Sequence, residues 1–169
     1  MVIDFIENKN IPQNILRNIC LLKQQHWDYS IKDQIQWINN NLTGEDVHLI
    51  LRNNSFVGNE IIGYLNLVNL FIEIDNEIIK MIGVGNVCVD KKYLGNKYGY
   101  FLIKTVEYFL QKNKLNGVLL CKDNIIPFYE SVRWYQYKGI TKIKEILFND
   151  KVYFYNEIIS KEIIISKYF

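Results

Sequence analysis

Residues 87–102 constrain the fold more than any other stretch of this chain. A strand-like apolar run through Val87, Cys88 and Val89 gives way to a short polar loop carrying Gly95 and Gly99. From Tyr98 a helical spacing takes over, with Phe101, Leu102, Thr105, Val106, Phe109 and Leu110 on one side. A strand that feeds a helix through a tight loop belongs to an α/β arrangement. It also aims several backbone N–H groups and the positive end of a helix dipole at one point, an anion site suited to a pyrophosphate. Glycine suits such a loop because the backbone must approach the anion closely. Glycines also occur in strand-to-helix turns for steric reasons alone, so the loop by itself leaves both readings open.

The flanking periodicities supply the remaining elements. A short strand is expected from Val2 to Phe5. A helix from about Pro12 to Gln24 places Ile15, Ile19 and Leu22 on one face, with Pro12 suited to its first turn. A second helix starts near Ser30, where Ser30 and Asp33 form a capping-box pattern and Ile31, Ile35, Ile38 and Leu42 make the apolar stripe. The loop between them carries His26, Trp27, Asp28 and Tyr29. The period then changes to two: Val47, Leu49 and Leu51 alternate with polar neighbours, which puts His48 on a solvent face and a turn at Asn53 and Asn54. Glu60 to Ile72 and Glu77 to Asp90 read as long strands joined by a turn at Asp75 and Asn76. After the helix from Tyr98 to Asn113 come a strand buried on both faces, Gly117 to Cys121, and a short helix, Asn124 to Val132, with Pro127 in its first turn. Further strands are expected at Trp134 to Lys138, Val152 to Asn156 and Glu162 to Tyr168. This order predicts a mixed sheet with helices on both faces.

No Pro/Gly/Ser-rich linker, repeat or low-complexity tract interrupts the 169 residues, so one domain over 1–169 is expected. A net charge of +2 without a basic stripe argues against a nucleic-acid partner. The first ten residues carry acids early and lack the pattern of a signal peptide. The most apolar stretch, Ile61 to Ile72, is broken by Asn66 and Asn69 and is too short for a bilayer. Cys20, Cys88 and Cys121 are scattered, form no metal-ligand spacing and suit a reducing, cytoplasmic compartment. Cys88 and Cys121 lie in strand-like runs and read as small buried hydrophobes.

A second segment sharpens the reading. Residues 123–134 carry Asn124, Phe128, Tyr129, Glu130 and Trp134, with Tyr129 on a short helix just after the two-faced strand. Together the two segments resemble the GCN5-related N-acetyltransferase superfamily. Val89 matches the first valine of its best-known motif, Tyr93 the aromatic position before the loop, and Gly95 and Gly99 two of its glycines. Asn124, Phe128, Tyr129, Glu130 and Trp134 match the family's Asn…Phe-Tyr-Glu signature. Lys91 stands where the motif has proline, Leu94 where it has Arg or Gln, and Lys97 and Arg133 where it has glycine. Losing the Arg forfeits a charge-assisted hydrogen bond worth about 1.5–3 kcal/mol, which Lys97 could offset.

The resemblance implies a mostly antiparallel central sheet of six to seven strands flanked by about four helices. It also implies transfer of an acetyl group from acetyl-CoA, as co-substrate and without a metal, to an amine of a small acceptor. In that scheme the backbone of Val87, Cys88 and Val89 holds the pantetheine arm and polarises the thioester. Backbone N–H groups of Leu94, Gly95, Asn96, Lys97, Tyr98, Gly99 and Tyr100 take the pyrophosphate. Asn124 positions the pantetheine, although an N-cap role would also account for it. Tyr129 protonates the departing thiolate, although packing beside Phe128 would also account for it. The family's strand carboxylate is missing from residues 83–86, leaving His48, Glu73 and Asp28 as candidate bases and Asn86 as a holder of a relay water. His26, Trp27, Asp28 and Tyr29 would line one wall of the acceptor site. Two other readings remain open: a donor borne on an acyl-carrier protein, and a binding module without catalysis. The run from Glu162 to Phe169 could serve as a homodimer edge or close the chain's own sheet.

Overall fold

A computed structural model describes residues 1–55, 58–144 and 146–169, leaving aside the side chains at 54, 55, 58 and 59. The described residues form ten strands: β1 (Val2–Glu7), β2 (Val47–Ser55), β3 (Gly58–Ile74), β4 (Glu77–Val89), β5 (Gly117–Cys121), β6 (Tyr135–Tyr137), β7 (Ile140–Ile143), β8 (Ile146–Leu147), β9 (Lys151–Phe154) and β10 (Glu162–Ile165). Four α-helices accompany them: α1 (Gln13–Gln24), α2 (Ile31–Asn41), α3 (Tyr98–Asn113) and α4 (Ile126–Ser131). The count exceeds the expected six to seven strands because the C-terminal region breaks into pieces of two to four residues. The class is α/β with a mixed sheet, antiparallel at most pairings and parallel at β4–β5 and β7–β10. The residues group into two compact units, 1–68 with 86–103 and 69–85 with 104–169, to both of which β3, β4 and α3 contribute.

In the first unit β2 lies between β1 and β3, antiparallel to both, with a register shift between Leu51 and Arg52. Ile19 and Leu22 of α1 pack with Ile50, Ile61, Tyr64 and Cys88, and Ile6, Ile11, Ile15 and Trp27 close around them. Ser30 caps α2 as its sequence predicts, its Oγ accepting from the Asp33 N–H at 3.1 Å. Two expectations need correction. The alternation in β2 does not mark a solvent face, because His48 and Ile50 are as fully buried as Leu49 and Leu51. α1 packs on the face that carries Ile50 and therefore His48, so the face expected to be wet is covered. Asn53 makes no turn either; it pairs with Glu60 and the strand continues to Ser55.

In the second unit the strand order is β6-β9-β5-β4-β3-β10-β7-β8. Asp75 and Asn76, at φ 51° and 67°, make the two-residue connection between β3 and β4. Two successive left-handed residues match the twist of the flanking strands, and Asp and Asn are among the few residues that tolerate them. Leu70, Ile72, Met81, Val118, Val152, Phe154, Ile163 and Ile165 form the centre of this core. β10 is an interior strand, antiparallel to β3 and parallel to β7, so the C-terminal run closes the chain's own sheet. In α3 the buried stripe is Leu102, Ile103, Val106 and Leu110; Phe101 is exposed, contrary to expectation. No helix among the described residues is long and apolar enough to cross a membrane.

Candidate functional site

The end of β4 is fastened to the loop after α1. The His26 Nε2–H donates to the Val89 carbonyl at 2.8 Å. Gln25 bridges the next two residues: its Nε2 donates to Asp90 Oδ2 and its Oε1 accepts from the Lys91 N–H, each at 2.8 Å. Asp90 is itself buried, caps the following turn by accepting from the Lys92 N–H, and donates its own N–H to the Ile62 carbonyl at 2.7 Å. Burial alone would raise the Asp90 pKa. The hydrogen bonds from Gln25 and the Lys92 amide, helped by the charges of Lys92 and His26, outweigh it and hold the carboxyl below its ordinary value. Sequence reading missed Gln25 and Asp90, which meet across 65 positions. His26, expected in an acceptor wall, spends its ring nitrogen on the strand.

β4 also breaks its own regularity. Asn86 has φ 53°, a left-handed conformation inside a strand. From Met81 to Val89 every residue is buried except Asn86 and Val87, which are half-buried at this break. The Asn86 Nδ2 donates to Asn66 Oδ1 on β3 at 2.9 Å.

Beyond Asp90 the chain turns through Lys91–Tyr93 and enters the glycine loop. Tyr93 donates its hydroxyl to Glu60 at 2.8 Å, and Lys92 pairs with the same carboxylate at 3.1 Å, which lowers the Glu60 pKa. Gly95 sits at φ 82°, where any Cβ is strained. Lys97 sits at φ 61° in the same region without glycine's freedom. Its carbonyl accepts from the Phe101 N–H at 2.9 Å and opens α3. Leu94, Gly95, Asn96, Lys97 and Tyr100 are exposed, Tyr98 and Gly99 half-buried. The first N–H groups of a 16-residue helix have no carbonyl within the helix and face this loop. The first unit therefore brings together Val87, Cys88, Val89 and all seven loop residues.

Asn124 and Tyr129 belong to the second unit. Asn124 is exposed in the turn Asp123–Ile125 and does not cap α4, whose N-cap is Ile125. Tyr129 is buried on α4, its ring 5.1 Å from Phe128 and 5.9 Å from Tyr153 between centroids. Burial, reinforced by the neighbouring Cys121, raises its pKa well above the ordinary phenol value and keeps it protonated. Arg133, where the motif has glycine, takes φ 63°. Both glycine replacements thus keep the left-handed backbone that a glycine would supply.

The base candidates are scattered. Asp28 is exposed and Glu73 is half-buried in the second unit. His48 is sealed, its Nδ1 2.8 Å from the Tyr64 hydroxyl and its Nε2–H donating to Asn8 Oδ1 at 3.0 Å. Burial and the Lys23 charge depress its pKa to about 4 against the opposing pull of Asp46. Burial disfavours the thiolate at all three cysteines, raising Cys20 and pushing Cys88 to about 12 and Cys121 to about 11.

No protein-family model matches the chain, and no curated protein matches it in sequence. Solved structures match it along most of its length. An acyl-CoA N-acyltransferase from Pseudomonas aeruginosa aligns with 90% of this chain and 97% of its own, at 12% identity and a TM-score of 0.65. ElaA of Escherichia coli aligns with 91% of this chain and 99% of its own, at 14% identity and a TM-score of 0.63. An aminoglycoside 6'-N-acetyltransferase complexed with coenzyme A aligns with 91% and 94%, at 11% identity and a TM-score of 0.61. At these identities the likeness is one of fold: this chain has the fold of the GCN5-related N-acetyltransferases.

Proposed function

We propose that the chain is an acyltransferase, a single domain over 1–169, that moves an acetyl group from acetyl-CoA to an amine of a small acceptor. The observation that carries this reading is the backbone of the two motif segments. Gly95, Lys97 and Arg133 adopt left-handed φ at three positions where the motif has glycine, although two of them are not glycine. A non-glycine residue in that region costs about 1–2 kcal/mol. Retaining the conformation at that cost supports a loop whose N–H groups are needed where they are.

In this reading the backbone of Val87, Cys88 and Val89 holds the pantetheine arm and thioester. Leu94 to Tyr100 receive the pyrophosphate, with Lys97 supplying the cation that Leu94 cannot. Asn124 contacts the pantetheine. Tyr129 gives its proton to the thiolate as the carbon–sulfur bond breaks, and its raised pKa ensures that it carries that proton at neutral pH. Acetyl-CoA supplies the activated acyl group; the residues position it and exclude water. The attacking amine must be neutral, which for a lysine-like amine costs about 4–5 kcal/mol at pH 7. His48 is too deeply buried to take that proton, so Asp28, Glu73 or a water held by Asn86 is left to do so. Leu94, exposed at the position of the motif's Arg, favours a second reading in which the pantetheine is borne on an acyl-carrier protein and no adenosine diphosphate needs a site.

Thermal melting with acetyl-CoA, CoA and ATP tests the reading. At about 100 times Kd, binding adds ~2.7 kcal/mol, or roughly 5–10 °C for a domain of this size. A rise with both CoA species and none with ATP is expected. No rise at saturating CoA would overturn the donor assignment.

A further inference from the structure

Residues 135–154 form one long antiparallel hairpin that opens in its middle. Tyr135, Gln136 and Tyr137 of β6 face Phe154, Tyr153 and Val152 of β9, and Lys142 and Ile143 of β7 face Leu147 and Ile146 of β8. The Phe148 N–H donates to the Thr141 carbonyl at 2.9 Å in the same register. Pairing therefore resumes without a slip, yet Lys138, Gly139 and Ile140 do not pair with Lys151, Asp150 and Asn149. The two arms are drawn apart from outside, because β7 joins β10 and β9 joins β5, at different places in the sheet. Hydrogen-bonded pairs alternate along an antiparallel ladder, so Gly139 and Asp150 are the pair that would exchange two N–H···O bonds here. Among the described residues neither bond is made.

The opening is a cleft of about 400 Å³, within the range of small-molecule sites. It is reachable from solvent, because Lys138, Gly139, Asn149 and Asp150 are all exposed. Paired strands close it at both ends, so it suits a compact molecule rather than an extended chain. Its charged lining is Lys138 and Lys151 with Asp150, and Ile140, Leu147 and Phe148 supply an apolar wall. Lys151 holds Asp123 only loosely, at 3.8 Å. The side chains of Lys138 and Asp150 have no hydrogen-bond or ion-pair partner among the described residues. A simple anion would be repelled by Asp150 and a simple cation by the two lysines, whereas a zwitterion complements both signs. We propose that this cleft binds a free α-amino acid with an apolar side chain. The carboxylate meets the Lys138 and Lys151 ammonium groups, the ammonium meets the Asp150 carboxylate, and the side chain lies on Leu147 and Phe148. The unpaired backbone groups of Gly139 and Asp150 offer further donors and acceptors to the two charged ends. The site lies wholly in the second unit and does not depend on the donor reading.

Calorimetric titration with L-leucine, isocaproate and isopentylamine tests this, since isocaproate lacks the ammonium and isopentylamine the carboxylate. L-leucine should bind with a Kd at or below about 1 mM, and each analogue at least about tenfold more weakly. Asp150→Asn and Lys138→Met should each weaken L-leucine at least about fivefold. Both side chains are exposed, so neither change threatens the fold. No heat and no rise in melting temperature with L-leucine at about 10 mM would overturn the proposal. So would binding no tighter than that of the analogues, or an affinity that neither variant alters. None of these results bears on CoA, so the donor reading stands or falls separately.

Discussion

Lowering the pH should destabilise this protein through His48, and the size of the effect follows from its surroundings. The ring is sealed between Tyr64 and Asn8, and its pKa falls from 6.5 to about 4 because burial disfavours the charge and Lys23 repels it. Above pH 6.5 the ring is neutral in both folded and unfolded chains, and the full stability is present. As pH falls below 6.5 the unfolded chain takes up a proton that the folded chain refuses, so stability drops until the folded pKa is passed near 4. A difference of ~2.5 pK units corresponds to about 3 kcal/mol in all, of which about 2 kcal/mol is lost by pH 5. Carboxylates also titrate in this range, so the assay is comparative. Urea denaturation of the wild type and of His48→Gln is measured between pH 7.5 and 4. Glutamine can still hydrogen-bond to Tyr64 but does not titrate. The wild type should lose about 2 kcal/mol more than the variant between pH 7.5 and 5, whatever their offset at pH 7.5. Parallel profiles would refute the claim that His48 is held neutral.

Lys97→Gly should relieve the left-handed strain and raise stability by about 1 kcal/mol in urea melts, while weakening CoA in low salt if the ammonium meets the pyrophosphate. Stabilisation without loss of CoA affinity would show that Lys97 is not the missing cation. Tyr129→Phe should lower the acetyl-transfer rate at least about a hundredfold while CoA affinity, read by calorimetry, stays within about twofold; an equal loss in both would remove its assignment as the acid. Gly139→Ala should cost about 1–3 kcal/mol, because its Cβ would meet the Lys161 carbonyl at 2.7 Å and push on the Tyr137 ring, whose hydroxyl donates to Ser160. An unchanged melting temperature would contradict that packing.

Elements set by nearby residues were readable from the sequence. The Ser30 cap, the Asp75–Asn76 turn and the limits of α3 depend on neighbours within a few positions, and the unbroken apolar run of β5 shows its burial by composition alone. Features set by distant partners were not. His48 looks like the polar half of an alternating strand until β1 and α1 cover it. β7 and β8 are too short to show a period. Phe101 has the right type for the α3 stripe but falls one position from the face centred on Leu102, Val106 and Leu110. The same division runs through the candidate site. The glycine loop and the α4 segment could be found from their motif, and Lys97 and Arg133 proved to keep its backbone although neither side chain signals a positive φ. Gln25 and Asp90 join residues far apart in the chain.

Hydrogen exchange with and without saturating CoA tests the central claim most directly, since it reads the backbone amides that are said to hold the donor. The amides of Leu94 to Tyr100 should slow at least about tenfold on CoA addition, with Val87 to Val89 following and no comparable change for ATP. Protection confined to other segments, or none at ligand levels that shift the melting temperature, would contradict the assignment of this loop as the pyrophosphate site.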